Sequence, residues 1–172
     1  KIFEIAQKKV QRDFVCIREL IKSGIEKAEQ MLNFHDMITG IETGFTDLDK
    51  KTMGFQPSDM IVLAARPSMG KTALALNIAE HAAVNNNKPV GIFSLEMSKE
   101  QLVFRLLCSN ARVSVQKLRS GFAAKEDYES LTMAAGRLAE SPIYIDDTPG
   151  ISIMELRGKA RRLKARSDCQ MI

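Results

Sequence analysis

The sequence predicts an α/β fold, a mostly parallel sheet flanked by helices, and three observations lead there. The apolar run Met60-Ile61-Val62-Leu63-Ala64-Ala65 passes through a Gly/Pro/Ser turn into a helix expected from Lys71 to about Val84. A second apolar run, Pro89-Val90-Gly91-Ile92-Phe93-Ser94-Leu95, follows the loop Asn85-Asn86-Asn87-Lys88 and ends at Glu96. Short apolar runs bounded by turn residues and alternating with helical periodicity are the mark of strands buried on both faces of a parallel sheet. The third observation is the junction Ala65-Arg66-Pro67-Ser68-Met69-Gly70-Lys71-Thr72, which matches G-x-x-x-x-G-K-[ST] at every fixed position except the first, where Ala replaces Gly.

The remaining elements follow in chain order. Over residues 17–32 the apolar residues Ile17, Leu20, Ile21, Ile25, Ala28, Met31 and Leu32 line one face of a helix, with Gly24 weakening it slightly. Such a stripe either packs on its own domain or docks on a neighbouring subunit, and periodicity does not choose between them. Residues 33–60 carry the turn signals Thr39-Gly40, Thr43-Gly44, Met53-Gly54 and Pro57-Ser58-Asp59 around the phrase Phe45-x-x-Leu48, and read as a linker into the domain. Beyond Glu96, Ser98 is placed as an N-cap with Gln101 completing a capping box ahead of Leu102, Val103, Leu106 and Leu107. Residues 128–138 read as another helix, Ile143-Tyr144-Ile145 as a short strand and residues 152–166 as a basic amphipathic helix.

Composition bounds the function. A chain of 172 residues that is 45% hydrophobic and 27% charged suits one α/β domain and argues against disorder. The net charge of +4 permits a nucleic-acid partner without requiring one. Cys16, Cys108 and Cys169 are odd in number and far apart, with no C-x-x-C pair for zinc or dithiol chemistry, which suits free thiols in a reducing cytosol. No stretch approaches 18 consecutive apolar residues and the opening Lys1-Ile2-Phe3-Glu4-Ile5 lacks the apolar core of a signal peptide, so a cytoplasmic protein without membrane attachment is expected. The chain begins at Lys1 and ends in the apolar Met171-Ile172, and is expected to be a fragment of a longer polypeptide.

The loop at residues 65–72 has the chemistry of a phosphate cradle. Backbone N–H groups of the loop and of the following helix start, here at Ser68, Met69, Gly70, Lys71, Thr72 and Ala73, can surround β- and γ-phosphates, whose charge the positive helix end favours. Gly70 permits close backbone approach, Lys71 supplies a cation and the Thr72 hydroxyl can ligate Mg²⁺. A bare Gly-Lys-Thr occurs by chance in loops, but an apolar strand before it and an amphipathic helix after it supply the context the motif requires. A nucleoside triphosphate with Mg²⁺ is therefore the expected ligand.

Hydrolysis also needs a carboxylate to orient or deprotonate water. Glu96 stands at the carboxyl end of a strand, where ligands of open parallel sheets gather, and it also reads as an acid favoured near a helix start. Asp146 and Asp147 follow an apolar strand in the manner of a Walker B motif, yet Thr148-Pro149-Gly150 comes next and marks an ordinary turn. The residues alone leave both places open.

Thr43-Gly44-Phe45-Thr46-Asp47-Leu48-Asp49, Gly54-Phe55-Gln56-Pro57-Ser58-Asp59, the phrase Ala64 through Thr72 and Ile92-Phe93-Ser94-Leu95-Glu96-Met97-Ser98 together resemble the bacterial DnaB-type replicative helicases over essentially the whole chain. Ala-Arg-Pro-Ser-Met-Gly-Lys-Thr is specific to that family, which tolerates Ala at the first position. The resemblance implies a RecA-like P-loop motor domain over residues 35–172, preceded by a linker region with an amphipathic helix over residues 1–34. It implies a homohexamer held by that linker helix, hydrolysing ATP at subunit interfaces to travel along single-stranded DNA, with primase and a helicase loader as further partners and the replication fork as its place of work. Glu96 matches the family's catalytic glutamate and Arg105 a position near the nucleotide, whereas Asp146 and Asp147 match a strand that is not Walker B. The Walker B aspartate, DNA-binding loops and arginine finger are expected beyond Ile172.

Two rival readings differ in class. One is another RecA-family ATPase of recombination or repair, and the other is a nucleotide-gated oligomerisation module that does not hydrolyse. Arg157, Lys159, Arg161, Arg162, Lys164 and Arg166 can meet phosphate backbone, but Leu156, Ala160 and Leu163 at helical spacing and the lack of interleaved aromatics make this a solvated basic face. Binding of DNA is thus implied by the resemblance.

Overall fold

The computed structural model describes residues 15–33 and 38–172, and the chain divides into two units between Met37 and Ile38. In the first unit α1 (Ile17–Asn33) forms where the periodicity places it. Its stripe is open, with Ile17 74% and Ile25 55% exposed.

The second unit contains α2 (Thr46–Thr52), α3 (Lys71–Glu80) continued by one π-turn (His81–Asn85), β1 (Val90–Phe93), α4 (Lys99–Ala111), α5 (Val115–Arg119), α6 (Lys125–Glu140), β2 (Ile143–Asp146) and α7 (Ile153–Ser167). β1 and β2 pair in parallel with Val90 opposite Ile143 and Phe93 opposite Asp146. Val90 also bridges Met171 in parallel, which puts Met171 on the edge of β1 away from β2. Of the β-α-β-α alternation expected from the sequence, the parallel β1 and β2 joined through α4, α5 and α6 are present.

Two apolar clusters hold these layers together. Ala79, Ala82 and Ala83 meet Val90, so α3 and its π-turn approach the sheet through side chains no larger than a methyl. Leu76 of α3 meets Leu102 and Leu106 of α4, flanked by Ile92, Met97, Leu138, Ile143 and Ile145. On the other face α7 covers β1: a Cβ on Gly91 would meet Leu163 Cδ2 at 2.7 Å, so a larger residue there would push the Leu163 side chain aside.

Residues 38–56 depart from the linker reading. Ile41 and Phe55 form an antiparallel bridge, and buried Asp49 turns back from α2 to accept from Thr43 N (2.9 Å), Thr43 Oγ1 (2.8 Å) and Gly44 N (3.2 Å). A local polar knot of this kind closes a short segment without apolar periodicity, which is why turn signals alone misread it. Glu42 ties the segment to the end of α3 through Asn86 Nδ2 (3.2 Å) and His81 (3.7 Å).

The strand expected over residues 60–65, buried on both faces, is absent. The segment has no strand pairing among the described residues, and Met60 is 88% and Val62 76% exposed. A strand is defined by partners: without a neighbouring ladder and two covering layers, an apolar run has nothing to bury against and its N–H and C=O groups face solvent.

Candidate functional site

The cradle is built at the start of α3. Ser68 (φ 65°) and Gly70 (φ 87°) both adopt left-handed backbone, which curls the loop over the helix end, and Met69 N donates to Arg66 O at 3.3 Å. Gly70 is the N-cap, and no side chain caps the helix. A helix start normally satisfies its first N–H groups with a Ser, Thr, Asp or Asn. Here they are presented outward, and a Cβ at Gly70 would find nothing within 4 Å. An uncapped, unobstructed helix N-terminus beside an ammonium and a hydroxyl fits a Mg²⁺-bound polyphosphate chain, which supplies acceptors for the N–H groups and negative charge for Lys71.

A groove of about 1210 Å³ runs along this end of the sheet and brings together Lys71, Thr72, Ser94, Leu95, Glu96 and Met97, with Ile61 to Leu63 on one wall and Ile92, Phe93, Met171 and Ile172 also lining it. Lys71 and Glu96 are exposed and Thr72 is half-buried. Ser68, Met69, Gly70 and Ala73 belong to the cradle but not to the groove wall, and Arg105 is exposed on α4 outside the lining. A second cavity, of about 890 Å³, opens between the sheet and α7 beside Tyr144, Lys159 and Arg166, away from the cradle.

Glu96 sits in a turn that the chain satisfies by itself. Ser94 Oγ donates to Met97 O at 2.6 Å and accepts from Met97 N at 3.1 Å, while Ser98 Oγ accepts from Gln101 N at 3.4 Å and starts α4. The clasp at Ser94 was not anticipated from sequence. Its only signal is a Ser at a strand end three residues ahead of the position it bonds, the spacing of a local side-chain turn.

Asp146 and Asp147 have structural partners. Asp146 takes Lys159 Nζ at 2.7 Å, Thr148 Oγ1 at 2.6 Å and Thr148 N at 3.0 Å, and the Lys159 hydrogen bond leads in drawing its carboxyl down to about 2. Asp147 accepts the Lys99 N–H at 3.0 Å, which caps α4 and holds its carboxyl below the usual range. Both acids therefore bind together the ends of β2, α4 and α7 rather than standing free for water.

On α7, Lys159 is consumed by Asp146, Lys164 pairs with Asp168 at 2.7 Å and Arg166 lies 5.8 Å from the centre of the Tyr144 ring. Arg157, Arg161 and Arg162 are exposed. Among the described residues no helix is long and apolar enough to cross a membrane.

Comparison with known proteins places the chain in a family. Residues 40–172 match the family described as the DnaB-like helicase C terminal domain. The chain is 51% identical over 171 residues to the replicative DNA helicase DnaC of Bacillus subtilis (strain 168), covering 99% of this chain and 38% of that protein. It is 49% identical to the replicative DNA helicase DnaB of Geobacillus stearothermophilus over 172 residues, again covering 38% of the relative. Among solved structures the ATPase domain of G40P superposes with a TM-score of 0.80 at 35% identity, covering 90% of this chain and 54% of that one. A DnaB-like replicative helicase, solved with attention to its interactions with primase, gives 0.78 at 34% identity, covering 96% of this chain and 39% of that one. The chain thus spans well under half the length of these full-length relatives. With residues 40–172 matched by that family and relatives 49–51% identical across the whole chain, the chain belongs to the DnaB-like helicase C-terminal domain family.

Proposed function

We propose that this chain supplies the nucleotide-binding part of an ATP-driven replicative DNA helicase, in which hydrolysis within a homohexameric ring drives movement along single-stranded DNA. The observation that carries the reading is the shared groove: Lys71 and Thr72 of the uncapped helix start and Glu96 of the neighbouring turn line one space. The loop N–H groups from Ser68 to Ala73 bind phosphate oxygens, Lys71 adds positive charge at the β- and γ-phosphates, and the Thr72 hydroxyl ligates the metal. Mg²⁺, when bound, neutralises charge that develops on the transferred phosphoryl group. Glu96 orients the attacking water and accepts its proton. Arg105 is assigned a contact to the nucleotide from a neighbouring position on α4, on the family resemblance alone.

The same family membership supports the reading of assembly. The exposed apolar stripe of α1 supports its docking on an adjacent subunit, because a surface helix with Ile17, Leu20, Ile21 and Ile25 in the open leaves that area without cover. Primase and a helicase loader are the expected protein partners, at the replication fork in the cytoplasm. The Asp146 and Asp147 bonds described above weigh against those acids as rivals to Glu96.

The reading is tested on the intact protein by ATP turnover and by unwinding of a forked duplex. Turnover that depends on Glu96 and is coupled to unwinding is expected. Turnover without unwinding would move the protein to the recombination and repair ATPases, and equal background turnover in wild type and Glu96→Gln would leave only a nucleotide-gated assembly module.

A further inference from the structure

We propose that Ser94 is a positioning residue that fixes Glu96 relative to the phosphate cradle; this rests on the reading of Glu96 as the residue that activates water. β1 ends at Phe93, and Ser94 N donates to Asp146 O at 2.9 Å, so Ser94 is pinned to the last residue of β2. Its hydroxyl then holds both polar backbone groups of Met97, donating to the carbonyl at 2.6 Å and accepting from the N–H at 3.1 Å. Glu96 lies inside the four-residue turn that these bonds close. Downstream, the Lys99 N–H is bound by Asp147 at 3.0 Å, so the turn is gripped at both ends without use of the Glu96 side chain.

The clasp also reaches the cradle. Met97 packs on the cluster of Leu76, Leu102 and Leu106, and Leu76 belongs to the helix that begins with Lys71 and Thr72. Ser94 thus connects the turn that carries the acid to the core that carries the cradle. Ser94 lines the same groove, but the single proton of its hydroxyl is already given to Met97, so the side chain holds the turn and has no donor left for a phosphate oxygen. Placement of a general base to within about 1 Å is worth on the order of a hundredfold in rate, so a loosened turn is costly even when every reacting group remains.

The test uses the intact protein, steady-state ATP hydrolysis and equilibrium binding of a non-hydrolysable ATP analogue. Ser94→Ala is expected to lower kcat by about tenfold while KM and analogue affinity stay within about twofold, and Ser94→Thr, which keeps the hydroxyl, is expected to recover most of the loss. In the Glu96→Gln background Ser94→Ala should cost nothing further, since the clasp acts only through Glu96. A purely structural role for Ser94 would instead make the two losses add, and that result overturns the proposal, as does unchanged kcat in Ser94→Ala. A loss carried by KM and affinity assigns Ser94 to direct nucleotide contact and also overturns it. If Glu96→Gln itself hydrolyses at the wild-type rate, the reading of Glu96 falls, an outcome distinct from failure of the clasp alone. Should Ser94→Ala lower the unfolding midpoint sharply, Asp147→Ala, which removes the acceptor of the Lys99 N–H, releases the other end of the turn and should reproduce a smaller loss of kcat at unchanged affinity; unchanged kcat there refutes the clasp.

Discussion

The second unit contains two apolar segments that each lead through a turn into a helix, and their turns are finished in opposite ways. At residues 65–72 the turn leaves its donors open: two left-handed residues, no side-chain cap on α3 and empty space above Gly70. At residues 93–99 the turn is closed by Ser94, Ser98 and Asp147, which bond to the backbone of Met97, Gln101 and Lys99. Polar backbone groups must find partners somewhere. The first turn leaves that requirement for a ligand to meet, and the second meets it internally, so that one carboxylate can be held out at a fixed place. On the proposed reading, binding and proton transfer fall to turns of different character, joined by the leucines between α3 and α4.

The sharpest way to break this division is to damage each turn chemically. Glu96→Gln should lower ATP turnover by about 10²–10⁴-fold with nucleotide affinity retained. Lys71→Ala should weaken affinity itself, by about 2–3 kcal/mol for a lost charge-assisted bond to phosphate. Analogue binding by calorimetry set beside turnover separates the two, and parallel losses of affinity in both variants would erase the distinction.

An effect of comparable size, but on stability, is expected where the turns are joined. Leu102 is 2% exposed in the cluster shared with Leu76, and Leu102→Ala should destabilise the protein by about 2–5 kcal/mol in denaturant titration. It should depress turnover more than affinity, because the cradle keeps its own donors while its spacing to Glu96 loosens.

Gly70→Ala comes next. Nothing would touch the new methyl, so steric collision is not the cost; the left-handed φ of 87° is, at about 1–2 kcal/mol for an L side chain. A melting curve unchanged from wild type would mean the loop relaxes out of that conformation.

The smallest effect concerns Asp146. Its carboxyl titrates near 2 in the folded protein against an ordinary 3.8, so its partnership with Lys159 and Thr148 stabilises fully above about pH 4 and is lost as pH falls through about 2. Unfolding midpoints followed over that window should decline less steeply in Asp146→Asn than in wild type. ATP binding near neutral pH should be unaffected by the same change, in keeping with an acid that ties β2 to α7 and takes no part at the cradle.

Much of this arrangement could be read from residues alone, and the reason is local. Helices α1, α4 and α7 announce themselves through apolar spacing, and Ser98 and Ser152 cap α4 and α7 through bonds to a residue three positions on, which short-range chemistry determines. The cradle motif is equally local, since the left-handed glycine, the lysine and the hydroxyl are consecutive. The free acid was narrower ground: Glu96, Asp146 and Asp147 are each carboxylates after apolar strands, and only the bonds from Lys159, Thr148 and Lys99 separate the two committed acids from the third.

Sequence by itself thus determined the order of the helices, the place of the phosphate-cradle motif and a set of three candidate acids. Tertiary structure alone decided whether an apolar run becomes a strand. Residues 60–65 and Val90–Phe93 have nearly the same apolar character, yet only the second has a ladder with β2 and cover from α3 and α7. Helices and turns close their hydrogen bonds within a few residues, whereas a strand closes them only with a neighbour far along the chain, so its formation is a property of the pair.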